Sequence, residues 1–125
     1  MLTLVIIKPN AYPVRHKILE YFESYDYEII SERLYLTKQV AEELYAVHKD
    51  KPFFKSLIAF MTSGPVMVLK INSMEDTLIQ DVRHIVEKLI RPKYAIDATA
   101  NAIHASDSIE AAEYEYGVIK KYLKK

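Results

Sequence analysis

A chain of 125 residues, half of them hydrophobic, suits a single domain with one sizeable core. Lys and Arg number 17 and Asp and Glu 17, a formal net charge of zero, which removes the bulk electrostatic case for a nucleic-acid or membrane-surface protein. Cysteine is absent, which excludes a disulfide frame. The two glycines, Gly64 and Gly117, are too few for a Walker A loop, a kinase glycine-rich loop or a Rossmann fingerprint.

Leu2 to Ile7 is a run of aliphatic and β-branched residues, the pattern of a buried central strand; Pro9 ends its pairing and leaves Lys8 at the strand end. Pro13 suits the first turn of a helix with Val14, Ile18, Leu19 and Phe22 on its apolar side. Tyr27 to Thr37 reads as a second strand with Ile30, Leu34 and Leu36 on one face. Thr37 is placed to cap a helix running through His48, with Val40, Leu44 and Val47 at helical spacing. Pro52 to Met61 reads as another short helix, and Ser63-Gly64-Pro65 turns into a strand from Val66 to Ile71. Met74 to Leu89 carries Leu78, Val82, Ile85 and Leu89 on one stripe, an amphipathic helix that Pro92 is expected to break. A short strand from Ala102 to His104 and a C-terminal helix follow, and Lys120 to Lys125 reads as a solvated tail. The order β-α-β-α-α-β-α-β-α, without repeat or linker, predicts a ferredoxin-like α/β sandwich: a four-stranded antiparallel sheet covered by helices. No stretch has the length to span a membrane, and Met1 to Ile7 is too short for a signal peptide, so a cytoplasmic domain is expected.

The residues with chemistry gather near the end. Asn101-Ala102-Ile103-His104-Ala105-Ser106-Asp107-Ser108 sets a histidine on a short apolar run just before a helix, with Asp107 and Glu110 spaced as a capping box. A helix N-terminus favours an anion, and a nucleophilic ring nitrogen beside an anion site suggests phosphoryl chemistry on His104 itself. His16, His48 and His84 lie on expected helices among charged neighbours, where solvent-facing side chains are the natural reading. Taken singly, each candidate also has a structural explanation. A histidine on a buried strand is more often a satisfied core residue than a catalytic one. Arg83 and Arg91 at a helix end suit the dipole, and Phe53 suits a core. Lys8 suits a strand end, Tyr45 is one of ten tyrosines, and Glu115 sits in a helix of several glutamates.

The joint pattern is more specific. Asn101 to Ser108 resembles the active-site signature of nucleoside diphosphate kinases. Leu4-Val5-Ile6-Ile7-Lys8-Pro9-Asn10-Ala11 is similar to that family's first strand and turn, Lys49 to Phe54 with Leu57 to its nucleotide-lid helices, and Met61 to Val66 to the lead into its third strand. The pieces occur in the family's order and span nearly the whole chain. The resemblance implies one domain over residues 1–125, with His104 as the phosphorylated histidine. Lys8, Arg83, Arg91 and Asn101 would then hold phosphates and ribose, Tyr45 would sit near the histidine, Phe53 would pack on the base with Leu57 lining that site, and Ser106 and Glu115 would back the histidine. Phosphoryl transfer suits these groups: planar Arg forks and a mobile Lys charge grip phosphate oxygens, an aromatic ring stacks on any base, and a carboxylate fixes an imidazole tautomer.

Nucleoside tri- and diphosphates are thus the implied partners, with Mg2+ bridging their phosphates and no dedicated protein metal cage. Nucleic acid and membrane are not expected partners, whereas a homo-oligomer is. Three departures stand out. Asn10-Ala11 replaces the family's Asp-Gly, Ala105 replaces a glycine after the histidine, and only seven residues separate Arg83 from Arg91 where the family has a longer loop. That shortening removes a phosphate-assisting threonine and much of a subunit-contact loop. It keeps two other readings open: a nucleotide-binding relative with weak or lost catalysis, and a ferredoxin-like interaction module.

Overall fold

The computed structural model describes residues 1–123. Four strands, β1 (Leu2–Ile7), β2 (Glu28–Leu34), β3 (Val66–Asn72) and β4 (Ile103–Ala105), lie in the order β2-β3-β1-β4, every neighbouring pair antiparallel. Six helices accompany them: α1 (Arg15–Glu23), α2 (Lys38–Leu44), α3 (Phe54–Met61), α4 (Leu78–Ile85), α5 (Arg91–Tyr94) and α6 (Ile109–Leu123). Among the described residues, 3-10 stretches at Pro9–Val14 and Ala46–His48 and a π segment at Val86–Ile90 complete the helical part, and the whole is a ferredoxin-like α/β sandwich.

β1 reads as an unbroken apolar run because both of its faces are covered. Alternate side chains point to opposite sides of a strand, so Val5 and Ile7 enter one core with Ile18, Phe22, Leu78, Val82 and Ile90. Leu4 and Ile6 enter a second core with Val40, Leu44, Leu57, Ile58 and Ile119. Burying one such aliphatic side chain contributes roughly 1.5–3 kcal/mol, so the central strand is fixed from both sides. β2 is the opposite case. It lies at the sheet edge, ends at Leu34 three residues before the expected Thr37, and leaves Ile30 half exposed opposite Lys70, while Leu34 and Leu36 still reach the second core.

Thr37 caps as expected, its Oγ1 accepting from Val40 N at 3.2 Å. The helix it starts ends at Leu44 rather than His48; the chain tightens to 3-10 and turns Val47 out to solvent. At α6 the cap is Ser108, whose Oγ accepts from Ala111 N at 3.0 Å, one residue past the expected Asp107 box. Lys120 to Leu123 belong to α6, with Lys121 Nζ 3.0 Å from Glu43 Oε2, so this part of the expected tail is helical; Lys124 and Lys125 lie outside the described residues.

The connection from β3 to β4 departs most from the expected helix. Met74 is fully exposed and α4 begins only at Leu78. At Val86–Ile90 the backbone widens to a π turn, with Arg91 N–H bonding Val86 O five residues back. The extra residue shifts the stripe: Leu89, expected inside, is 44% exposed, and Val86 and Ile90 take the core. Pro92 does not break the chain. It falls in the first turn of α5, where a missing N–H costs little, and the helix runs on to Tyr94 before Ala95 turns extended.

Candidate active site

The geometry starts from how β4 is held. Lys8 N donates to Ala102 O at 2.8 Å and Ser106 N to Leu4 O at 3.0 Å, with His104 paired to Ile6 between them. Residues 102, 104 and 106 therefore turn their peptide groups toward β1, and 103 and 105 turn theirs to the free edge. Two arginines close that edge: Arg91 Nη2 donates to Ile103 O at 3.0 Å and Arg83 Nη1 to Ala105 O at 3.3 Å. The π turn sets the spacing between them, and Glu87, four residues from each, bonds Arg91 Nη1 through Oε1 and lies 3.9 Å from Arg83 Nη2.

His104 shares its sheet face with Ile6, which directs its ring toward α6 and the end of α2. There its Nε2 lies 2.9 Å from Glu115 Oε1. An ionised carboxylate only accepts, so Nε2 carries the hydrogen and Nδ1 keeps its lone pair. Ser106 Oγ donates to the same Glu115 oxygen at 2.6 Å. It also lies 3.2 Å from Leu4 O, but a hydroxyl has one proton and the shorter bond takes it. Ser106 and Glu115 are both buried, and the His104 side chain is 18% exposed. The imidazole is thus partly exposed and rests on a buried, hydrogen-bonded support.

Tyr45 meets His104 edge-on, ring centroids 5.5 Å apart at 81°. Burial and the nearby Glu115 charge hold its phenol proton tightly, well above the ordinary range. His48 does not face solvent as expected. Its ring stacks on Tyr45 at 6.4 Å and leans on Phe53 at 5.4 Å, extending a row of rings from His104 outward to Phe53, which is 44% exposed. Leu57 is buried in the second core with Tyr45. His16 and His84 are exposed, as expected.

Lys8 is 5% exposed, and its Nζ donates to Thr99 O at 3.2 Å. Burial pushes its pKa down to about 8, the Arg91 charge adds to the fall, and Asp97 opposes it. Asn10 accounts for one departure. Its amide donates to Tyr94 O at 3.3 Å and Ala100 O at 3.2 Å, two bonds an aspartate could not make, and so ties the first turn to the loop before β4. That loop closes on Ala102 at φ 79°, a left-handed conformation on a non-glycine residue. Asn101 Oδ1, Arg91 Nε and Tyr45 OH are buried without a protein partner, as are Thr3 Oγ1 and Asn10 Oδ1.

Sequence reasoning did not single out His48, Glu87 or Thr99. Glu87 had a signal, the i, i+4 spacing on both sides to Arg83 and Arg91. His48 and Thr99 had none, since one depends on how two loops meet and the other acts through its backbone oxygen.

Fold and site together define a class: an α/β sandwich whose edge strand carries a carboxylate-bound histidine flanked by the basic side chains of Lys8, Arg83 and Arg91. The family model described as nucleoside diphosphate kinase matches residues 2–122. A protein of that name from Helicobacter pylori strain P12 is 41% identical, with 90% of each chain covered. One from Wolinella succinogenes is 40% identical, again with 90% of each covered. The crystal structure of the Aquifex aeolicus nucleoside diphosphate kinase superposes with a TM-score of 0.86 at 38% identity, covering 94% of this chain and 93% of that one. The chain belongs to the nucleoside diphosphate kinase family.

Proposed function

We propose that this chain moves the γ-phosphoryl group of a nucleoside triphosphate to a nucleoside diphosphate through a phosphohistidine at His104. Family membership makes it a phosphotransferase acting on nucleotides; the observation that carries the residue-level reading is the His104–Glu115 pair. The Nδ1 lone pair attacks the γ-phosphorus, the bond to the β–γ bridging oxygen breaks, and the diphosphate leaves with that electron pair. Nε2 keeps its proton, and Glu115 offsets the positive charge that grows on the ring. A second diphosphate then reverses the step in the same pocket.

Arg83, Arg91 and Lys8 serve as the phosphate clamp, Asn101 offers its unpaired Oδ1 to the ribose, and Phe53 stacks on the base through its exposed face. Tyr45 and Ser106 hold the histidine and its carboxylate in place. Among the described residues no group of three His, Cys, Asp or Glu is placed to hold a metal, and the carboxylate nearest His104, that of Glu115, is taken up by the ring and by Ser106. Mg2+ would therefore ride on the nucleotide's own phosphates, where it neutralises their charge. A cytoplasmic setting, rich in nucleotides and magnesium, goes with this reading.

We read the short helical link between Arg83 and Arg91 as a shortened form of the family's loop, which takes surface away from the usual subunit contacts. The β2 edge, with exposed Ile30, and exposed Tyr35 beyond it, favours association of copies in some other number. The test of the activity is steady-state transfer from ATP to several diphosphates. Parallel lines in double-reciprocal plots support a shared phosphoenzyme, and intersecting lines would oppose it.

A further inference from the structure

Glu87 has no part in the scheme above, yet its carboxylate lies between the two arginines that the scheme assigns to phosphate. Its Oε1 bonds Arg91 Nη1 and lies 3.9 Å from Arg83 Nη2, while the same two guanidinium groups reach Ile103 O and Ala105 O on either side of His104. Glu87 is 45% exposed, so the carboxylate is free to swing away without disturbing a core. Its place follows from the i, i+4 spacing on both sides, which sets Glu87 beside Arg83 and Arg91 on one helical surface.

We propose that Glu87 is an internal anion that holds Arg83 and Arg91 together before nucleotide arrives and competes with phosphate for them. This rests on the reading of the two arginines as the phosphate clamp. A carboxylate and a phosphate oxygen use the same planar fork of a guanidinium, so one must yield to the other. An exposed pair of this kind is weak, and a di- or triphosphate carries more charge than a carboxylate, so the nucleotide wins at a modest loss of affinity. Glu87 thereby sets nucleotide affinity for this shortened segment.

The test is the dissociation constant of ADP, with adenosine as the uncharged control, by isothermal titration calorimetry. Glu87→Gln keeps the size and hydrogen bond of the side chain and removes its charge. It should tighten ADP by about two- to fivefold, the range of an exposed ion pair, and leave adenosine unchanged. Glu87→Ala should move ADP in the same direction, and the gain should shrink at high salt. Arg91→Ala tests the clamp separately and should weaken ADP severalfold. If Arg91→Ala weakens ADP but both Glu87 variants leave it unchanged or weaker, the competitor role is overturned and the clamp stands. If Arg91→Ala leaves ADP binding intact, the clamp fails and this inference goes with it. An equal gain for adenosine would mark a change of shape and would also overturn it.

Discussion

His104 Nε2 lies 2.9 Å from Glu115 Oε1, and that contact leaves the free lone pair on Nδ1, the nitrogen proposed to attack. Replacing Glu115 by Gln leaves a neutral partner that fixes the tautomer poorly and no longer offsets positive charge on the ring. Phosphoryl transfer should fall on the order of 10²–10⁴, with little change in nucleotide KM. Ser106→Ala removes only a brace on Glu115, and about tenfold is expected. Single-turnover formation of the phosphoenzyme checks both; a large KM effect with unchanged kcat would contradict the assignment.

Lys8 gives the site a pH dependence. Its pKa stands at about 8 in the folded chain against 10.5 as the ordinary value. Between those values the unfolded chain binds a proton that the native chain has released, so this residue makes stability rise with pH across that window. Below about pH 8 the buried charge opposes folding in full. Activity runs the other way. Loss of the ammonium above about pH 8 removes a phosphate contact, and kcat/KM should drop about tenfold per pH unit. Lys8→Arg stays charged and should flatten that limb. A profile flat to pH 10 in the native chain would count against Lys8 as a phosphate contact.

Ala102 is buried and left-handed, with its carbonyl accepting from Lys8 N. That conformation costs a residue with a Cβ about 1–2 kcal/mol, part of which glycine would return to the unfolded chain as entropy. Ala102→Gly should keep or slightly raise Tm. Ala102→Val adds a β-branched side chain where none is tolerated and should lower Tm by roughly 10 °C. Thermal unfolding of the two variants checks the strain directly.

Phe53 is 44% exposed at the outer end of the ring row. Stacking of a base on an aromatic is worth about 1–3 kcal/mol, so Phe53→Ala should raise nucleotide KM by about 5- to 150-fold. Purine and pyrimidine diphosphates should suffer alike, since every base has a π face, and Tm should move little. A loss confined to one base would argue for hydrogen-bond recognition instead.

Sequence patterning located what side-chain chemistry alone determines. The Leu2–Ile7 run announces a strand covered on both faces, and His104 with its cations announces itself by type and order. Backbone events were hidden. The π turn at Val86–Ile90 swaps Leu89 for Ile90 in the core without any change in the apolar period that precedes it. Pro92 looked like a breaker because its effect depends on where a new turn starts, and only the π turn supplies that start. Asp107 and Ser108 are both good caps, and the β4 hydrogen bond at Ser106 decides between them by fixing where the chain leaves the sheet. His48 reaches its row through a 3-10 turn that periodicity extends as α-helix.

The central claim is a phosphoryl group on Nδ1 of His104. Intact mass after brief incubation with ATP and Mg2+, followed by peptide mapping under alkaline conditions, tests it most directly. The account predicts one acid-labile phosphoryl group, located on His104 at the ring nitrogen away from Glu115, and none in His104→Ala. Normal labelling of His104→Ala, or label on another residue, would contradict it.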